Sequence, residues 1–184
     1  MLFAMVRAAR KPLLAALLVF ACAGTVSAGA GVSRRHVHIT PSNALESQVL
    51  TQINTIRAHR GLARLRLSTQ LNNAADAHSL EMARLGYFSH SSSNGTAFWK
   101  RIARFYPARG FRYWAVGENL LWSSPYVTAS DAMKMWMASP EHRRNLLTAQ
   151  WRDIGLSAVH VQTARGVYGG REVTIITSDF GVRR

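Results

Sequence analysis

One short segment, residues 139–147, constrains its own backbone more tightly than any other part of the chain. It reads Ser-Pro-Glu-His-Arg-Arg-Asn-Leu-Leu. Ser139 can cap a helix with its hydroxyl, and Pro140 suits the first helical position, where no N–H group is needed. Glu141 places a negative charge at the positive end of the helix dipole. His142 is therefore fixed near the start of a short helix, where an imidazole either packs against the cap or belongs to a functional site.

Hydrophobic residues at helical spacing predict four further helices upstream of this segment. Each one starts close to a Ser, Thr or Asn side chain that can accept a hydrogen bond from a backbone N–H group of the first turn. The predicted ranges and capping residues are 44–59 with Ser42 or Asn43, 69–85 with Ser68, 97–105 with Thr96 and 129–138 with Thr128. Gly61 and Gly86 are expected to end the first two helices, because glycine readily adopts the left-handed conformation of a helix C-terminus.

Downstream of residue 150 the pattern changes to that of β-strands. Apolar side chains alternate with others in residues 151–161, and residues 172–180 are rich in β-branched side chains. A glycine-containing turn region separates the two segments. The sequence therefore predicts an antiparallel hairpin.

Two residues outside the 139–147 segment are candidates for a functional site. His90 follows the second predicted helix and enters a loop of small hydroxyl side chains, with no periodic partner. It is a better candidate than His78, which lies on the apolar face of that helix and is interpreted as a core residue. Glu118 is a lone carboxylate among apolar residues. It either caps backbone groups or pairs with an arginine, or it acts as a ligand or base in a cleft.

The first 28 residues have the form of a signal peptide. Three basic residues precede an apolar run from Leu13 to Thr25, and residues 26–28 end in the small-x-small pattern of a signal-peptidase site. The apolar run is short for a permanent membrane span, so an uncleaved anchor is the less favoured alternative. We therefore expect export to the periplasm or to the outside of the cell.

Cleavage after residue 28 would leave a linker over residues 29–42 and a folded domain over residues 43–184. A lipoprotein modified at Cys22 is a minor alternative, because Phe20 is bulkier than that cleavage motif usually allows. Cys22 is the only cysteine in the chain, so no disulfide within the chain can stabilise the domain.

The charge balance is strongly basic, with 23 Lys and Arg against 9 Asp and Glu and a formal net charge of +14. The arginines are scattered singly or in pairs, with no run of five or more. This pattern is more typical of a solvated basic surface than of a nucleic-acid footprint. We expect an anionic envelope component or a lipid as the partner, rather than a nucleic acid.

Three motifs occur in order along the chain: Phe88-Ser89-His90, Gly117-Glu118-Asn119, and the segment from Trp136 to Leu147. Their order and spacing resemble those of the CAP superfamily (cysteine-rich secretory, antigen-5 and pathogenesis-related proteins), and most closely its bacterial, cysteine-poor branch. The resemblance covers about residues 44–181. Further segments that fit it are Arg57 to Leu62, Ala75 to Ser79, Asp153 to Gly155 and Ser178 to Gly181.

The resemblance implies an α+β fold, in which a small antiparallel sheet lies between helices as an α-β-α sandwich. It also implies that His90, Glu118 and His142 converge in a central cleft as three members of a His/Glu tetrad. In some members this tetrad holds a divalent cation. Here the three residues either hold zinc or form a hydrogen-bonded structural network that fixes the cleft. The fourth tetrad position, close to Ser139, offers no acid. Glu141 is a poor replacement, since neighbours on a helix diverge by about 100°.

These expectations favour a secreted binding module whose cleft takes a ligand or partner. One alternative is a metal-assisted hydrolase that uses His90, Glu118 and His142 around a bound water. Another, implied by the resemblance alone, is a lipid- or sterol-binding protein. No serine, cysteine or second acid is clearly paired with a base, so the sequence leaves enzymatic activity open.

Overall fold

The computed structural model describes residues 37–184, which are organised around a five-stranded sheet. Its strands are β1 (Ile39–Pro41), β2 (Arg66–Leu67), β3 (Trp114–Ser123), β4 (Asp153–Ala164) and β5 (Arg171–Arg183). The order across the sheet is β1-β4-β5-β3, with antiparallel neighbours throughout, and the short β2 pairs with β4 in parallel. Strand β3 is therefore at an edge of the sheet.

Helices cover both faces of this sheet. They are α1 (Asn43–Ala58), α2 (Thr69–Leu85), α3 (Phe98–Phe105), α4 (Ala129–Ala138) and α5 (Pro140–Leu146). Buried residues of α1, α4 and α5, such as Ile53, Trp136 and Leu146, form one core with β-strand residues such as Phe180. Residues of α2 and α3 pack on the opposite face. The predicted α-β-α sandwich with an antiparallel sheet between helices is confirmed.

The close packing of α2 on the sheet depends on Gly155 in β4. A Cβ atom at this position would lie 2.1 Å from the carbonyl carbon of Leu71 and 2.3 Å from the amide nitrogen of Asn72. Only a glycine leaves room for the helix backbone at this distance. This contact fixes α2, and with it the loop that carries His90.

The helices and the hairpin lie within a few residues of their predicted ranges. Ser68 accepts a hydrogen bond from the backbone N–H of Leu71, and Gly86 ends α2 with a φ of 74°. Three predicted caps are wrong in detail: Ser42 and Ser139 make no side-chain cap bond, and Ala97, not Thr96, is the residue before α3.

Three other features differ from the sequence predictions. Strand β3 was not predicted. Residues 39–41, at the end of the predicted linker, join the sheet as β1 and pair with β4. Met135 follows Ala132 at a helical spacing that predicts a core residue, but it is 47% exposed, because the buried stripe of α4 runs through Met133 and Trp136.

The predicted signal peptide, Cys22 and most of the predicted linker lie outside the described residues. Within residues 37–184, none of the helices has the length and hydropathy needed to cross a membrane.

Candidate functional site

Glu118 in β3 links the loop that carries His90 to helix α3. Its side chain is fully buried, and both carboxylate oxygens are bonded. Oε1 accepts a hydrogen bond from Nδ1 of His90 at 2.7 Å, and Oε2 is bound by the guanidinium group of Arg101. Arg101 also donates to the backbone carbonyl of His90 at 3.0 Å. The buried arginine therefore holds both the carboxylate and the loop.

These bonds fix the orientation of the His90 ring. An ionised carboxylate has no proton to donate, so Nδ1 of His90 is the donor and Nε2 is the free nitrogen. The His90 side chain is 51% exposed, whereas that of Glu118 is inaccessible. His90 is thus an oriented imidazole at the surface, supported by a buried ion pair.

The loop before His90 is anchored by α2. Nε2 of the fully buried His78 donates to the carbonyl of Ser89 at 2.8 Å. Burial lowers the pKa of His78, although the negative charge of Glu118 opposes the shift. The interpretation of His78 as a hydrogen-bonded core residue is confirmed, and this core residue holds the backbone next to the site.

Asn119, the next residue of β3, makes the matching connection on the other face of the sheet. Successive side chains of a strand point to opposite faces. Asn119 donates to the backbone carbonyl of His142 at 3.1 Å and accepts from the side-chain amide of Asn145 at 3.0 Å. Glu118 therefore holds the His90 loop on one face, while Asn119 holds α5 and His142 on the other. Both histidines are brought to the same edge strand.

His142 is partly buried and lies within electrostatic range of His90. Burial lowers the pKa of His142, and the charge of His90 lowers it further, while Glu141 opposes the shift. A histidine with an ordinary pKa is already mostly neutral at pH 7, so this lowering keeps the His142 ring neutral there.

A second buried acid lies behind Glu118. Asp179 of β5 is opposite Glu118 in the strand register, is inaccessible to solvent, and receives no hydrogen bond from an N–H or hydroxyl group of the described residues. Burial raises the pKa of Asp179 well above its ordinary value, and the adjacent Glu118 carboxylate raises it further, against the opposing effect of Arg101. Asp179 therefore holds its proton to a higher pH than an exposed aspartate does.

The three predicted site residues do not fit a zinc ion in this arrangement. Both oxygens of Glu118 are already bonded to His90 and Arg101, which leaves two imidazoles, whereas catalytic zinc usually has three protein ligands. Within residues 37–184, no three His, Cys, Asp or Glu side chains are grouped closely enough to hold a metal ion. Zinc binding stays an untested prediction of the family resemblance, whereas this geometry predicts a hydrogen-bonded network without zinc, and a calorimetric titration decides between them below.

Arg101 and Asp179 are the site residues that sequence reasoning missed. Arg101 had a detectable signal, because it lies three residues after Phe98 on the apolar face of α3. No sequence signal near Asp179 marked this residue, since its role depends on the pairing of β5 with β3.

A model of the CAP cysteine-rich secretory protein family matches residues 50–177, a range that contains His90, Glu118 and His142. The chain belongs to this family. Among curated proteins, the uncharacterized protein YkwD of Bacillus subtilis is 30% identical over 117 residues, which are 64% of this chain and 43% of that protein. The uncharacterized membrane protein YlbC of the same organism is 30% identical over 111 residues, 60% of this chain and 30% of that protein. This CAP chain therefore spans less than half the length of these relatives.

Solved structures of bacterial proteins share the fold. An extracellular protein containing an SCP domain from Bacillus anthracis superposes with a TM-score of 0.58 at 28% identity, over 77% of this chain and 41% of that one. An outer surface protein of Borrelia burgdorferi superposes with a TM-score of 0.65, over 80% of this chain and 99% of that one. At 17% identity, the second likeness concerns the fold alone.

Proposed function

We propose that this CAP domain is a binding module, and that the cleft at His90 and His142 holds an uncharged polar ligand rich in hydroxyl and amide groups, such as a cell-wall glycan. The observation that supports this proposal is that both carboxylate oxygens of Glu118 are bonded to His90 and Arg101. The carboxylate is used entirely to orient His90 and to neutralise Arg101, so it serves as a support for the exposed ring.

The chemistry of the two rings favours such a ligand. A neutral imidazole keeps one ring nitrogen that accepts a hydrogen bond, and His142 is kept neutral by its lowered pKa. Hydroxyl and amide groups can supply the required N–H and O–H donors. Because Glu118 and Arg101 hold His90 in place before binding, little side-chain entropy is lost when a ligand arrives.

An envelope location is part of the proposal. The predicted signal peptide supports export, and the Bacillus anthracis protein with this fold is described as extracellular. A location in the cell envelope would bring His90 and His142 within reach of the glycan chains of the cell wall.

The test is co-sedimentation of the purified chain, residues 29–184, with insoluble peptidoglycan that has been stripped of anionic wall polymers. We expect the His90→Ala/His142→Ala variant to bind at least about tenfold more weakly than the wild type. His38→Ala/His59→Ala removes two exposed histidines elsewhere and should bind like the wild type. Equal binding by the cleft variant and the wild type would refute the proposal.

A hydrolase is a second candidate, favoured by the 2.7 Å contact between Glu118 and His90. A carboxylate that orients an imidazole through Nδ1 is also the support of a general base. The same incubation separates the candidates: soluble fragments released by the wild type but not by His90→Ala indicate hydrolysis, whereas a binding module releases none.

A further inference from the structure

A second candidate site lies at the end of the sheet where β5 finishes. It is a pocket of about 480 Å³ lined by Arg66, Leu67, Ser68, Phe111, Asp153 and Arg183. These residues come from β2, the start of α2, the loop before β3, the start of β4 and the end of β5. None of them contacts the cleft residues His90 and His142 through a side-chain hydrogen bond.

Arg183 is fixed in this pocket by aromatic rings. Its guanidinium carbon lies 3.9 Å from the ring centre of Tyr106 and 4.9 Å from that of Phe111. Its terminal nitrogens also donate hydrogen bonds to the backbone carbonyl oxygen of Pro107, at 3.4 Å, and to the side-chain oxygen of Gln70. A guanidinium group has five N–H donors, so others remain for a ligand. The Arg183 guanidinium group is therefore held in place, while some of its N–H groups remain available to a ligand.

The one acid of the pocket is already neutralised. Asp153 accepts a hydrogen bond from the Tyr106 hydroxyl at 2.7 Å, and its other oxygen pairs with Arg66 at 3.2 Å. Two guanidinium groups and one carboxylate leave one net positive charge in the pocket. The loop before β3 adds the exposed Arg109 and Arg112. The local field therefore attracts anions.

The walls also offer apolar surface to the remainder of a ligand. Leu67 is 56% exposed and Phe111 is 43% exposed, on either side of the arginines. The planar fork of a guanidinium group matches the oxygens of a phosphate group in a bidentate contact. The volume is within the range of small-molecule sites.

We propose that this pocket binds the phosphate group of an anionic ester between Arg66 and Arg183, with the organic part of the ester against Phe111 and Leu67. A free phosphate ester and the headgroup of an anionic lipid share this chemistry. The site is separate from the cleft, so the proposal does not rest on the proposed function.

Two probes distinguish a free phosphate ester from the headgroup of an anionic lipid. Glycerol phosphate, titrated into the chain while its amide NMR signals are followed, tests a free ester. Vesicles of phosphatidylglycerol in phosphatidylcholine, in a sedimentation assay, test a lipid headgroup. Both are measured at about 150 mM salt, where exposed charges more than about 8 Å apart are largely screened.

We expect Arg66→Gln/Arg183→Gln to weaken binding of at least one probe by about tenfold or more. Arg66→Gln alone, at a side chain that is 78% exposed, should retain the fold and still weaken binding several-fold. Arg60→Gln/Arg84→Gln removes the same charge from exposed positions, one of them at the far end of α2, and should bind like the wild type.

A loss of equal size in the control variant would overturn the proposal, since binding would then follow net charge. Failure of the wild type to bind either probe would also overturn it. The outcome is independent of the cleft: the pocket variant should still bind peptidoglycan, and the cleft variant should still bind the phosphate probe.

Discussion

Asp179 gives the sharpest prediction about the buried part of the site. An aspartate in an unfolded chain has a pKa of about 3.9, whereas burial and Glu118 raise the pKa of Asp179 well above that value in the folded protein. Between these two pKa values the folded state holds one proton more than the unfolded state. The free energy of unfolding therefore falls as pH rises through this window.

The substitution Asp179→Asn should remove this fall in the free energy of unfolding. A side-chain amide has nearly the shape of a protonated carboxyl group, but it does not titrate. Near pH 4 the variant should lie within about 1 kcal/mol of the wild type, the typical worth of one hydrogen bond. Its relative stability should then rise by about 1.4 kcal/mol per pH unit until the folded pKa is passed.

The assay is urea unfolding of both proteins at a series of pH values from about 4 to about 8. Using the difference between the two proteins cancels the effects of shared groups such as His78, whose lowered pKa makes both proteins less stable in acid. Asp76→Asn controls for the loss of a surface carboxylate. A difference that does not change with pH would refute the reasoning. A variant less stable by about 2 kcal/mol or more at pH 7 would mean that Asp179 is ionised and serves as a counter-ion of Arg101.

Two further substitutions test the supports of the histidines. Arg101→Met leaves the buried Glu118 carboxylate without its cation and should lower the free energy of unfolding in urea by about 3–5 kcal/mol. The control Lys100→Met, at the exposed neighbouring residue, should change this free energy by about 0.5 kcal/mol or less. Similar small effects of both substitutions would contradict the role of the ion pair. Gly117→Ala would place a Cβ atom 2.4 Å from Oδ1 of Asn145, so it should displace α5, shift the NMR signals of His142 and cost about 1–3 kcal/mol. Unchanged His142 signals would show that Asn145 does not position this helix.

Local signals explain why most of the fold could be predicted. Helix α2 begins beside a serine that caps it and ends at a glycine in the left-handed conformation, and both features are determined by neighbouring residues. The hairpin of β4 and β5 follows from alternating and β-branched side chains. Strand β3 was missed because its middle is buried on both faces, so it lacks the alternation that marks a half-exposed strand.

The site was predictable only in part. Local sequence patterns and the family resemblance together predicted His90, Glu118 and His142, but their connections come from contacts between distant residues. Asp179 meets Glu118 because β5 pairs with β3 in one register, and Arg101 reaches Glu118 because α3 packs below that strand. No pattern within a single segment contains this information, which is why the acid pair and its arginine emerged only from the structure.

Calorimetric titration of zinc into the chain, residues 29–184, beside the His90→Ala/His142→Ala variant, tests most directly whether Glu118 supports His90 or serves as a metal ligand. We predict no binding at micromolar zinc that distinguishes the two proteins, because the Glu118 carboxylate is occupied by His90 and Arg101 and two imidazoles alone fall short of a zinc site. Micromolar or tighter binding that the variant loses would contradict this account and place a metal ion in the cleft.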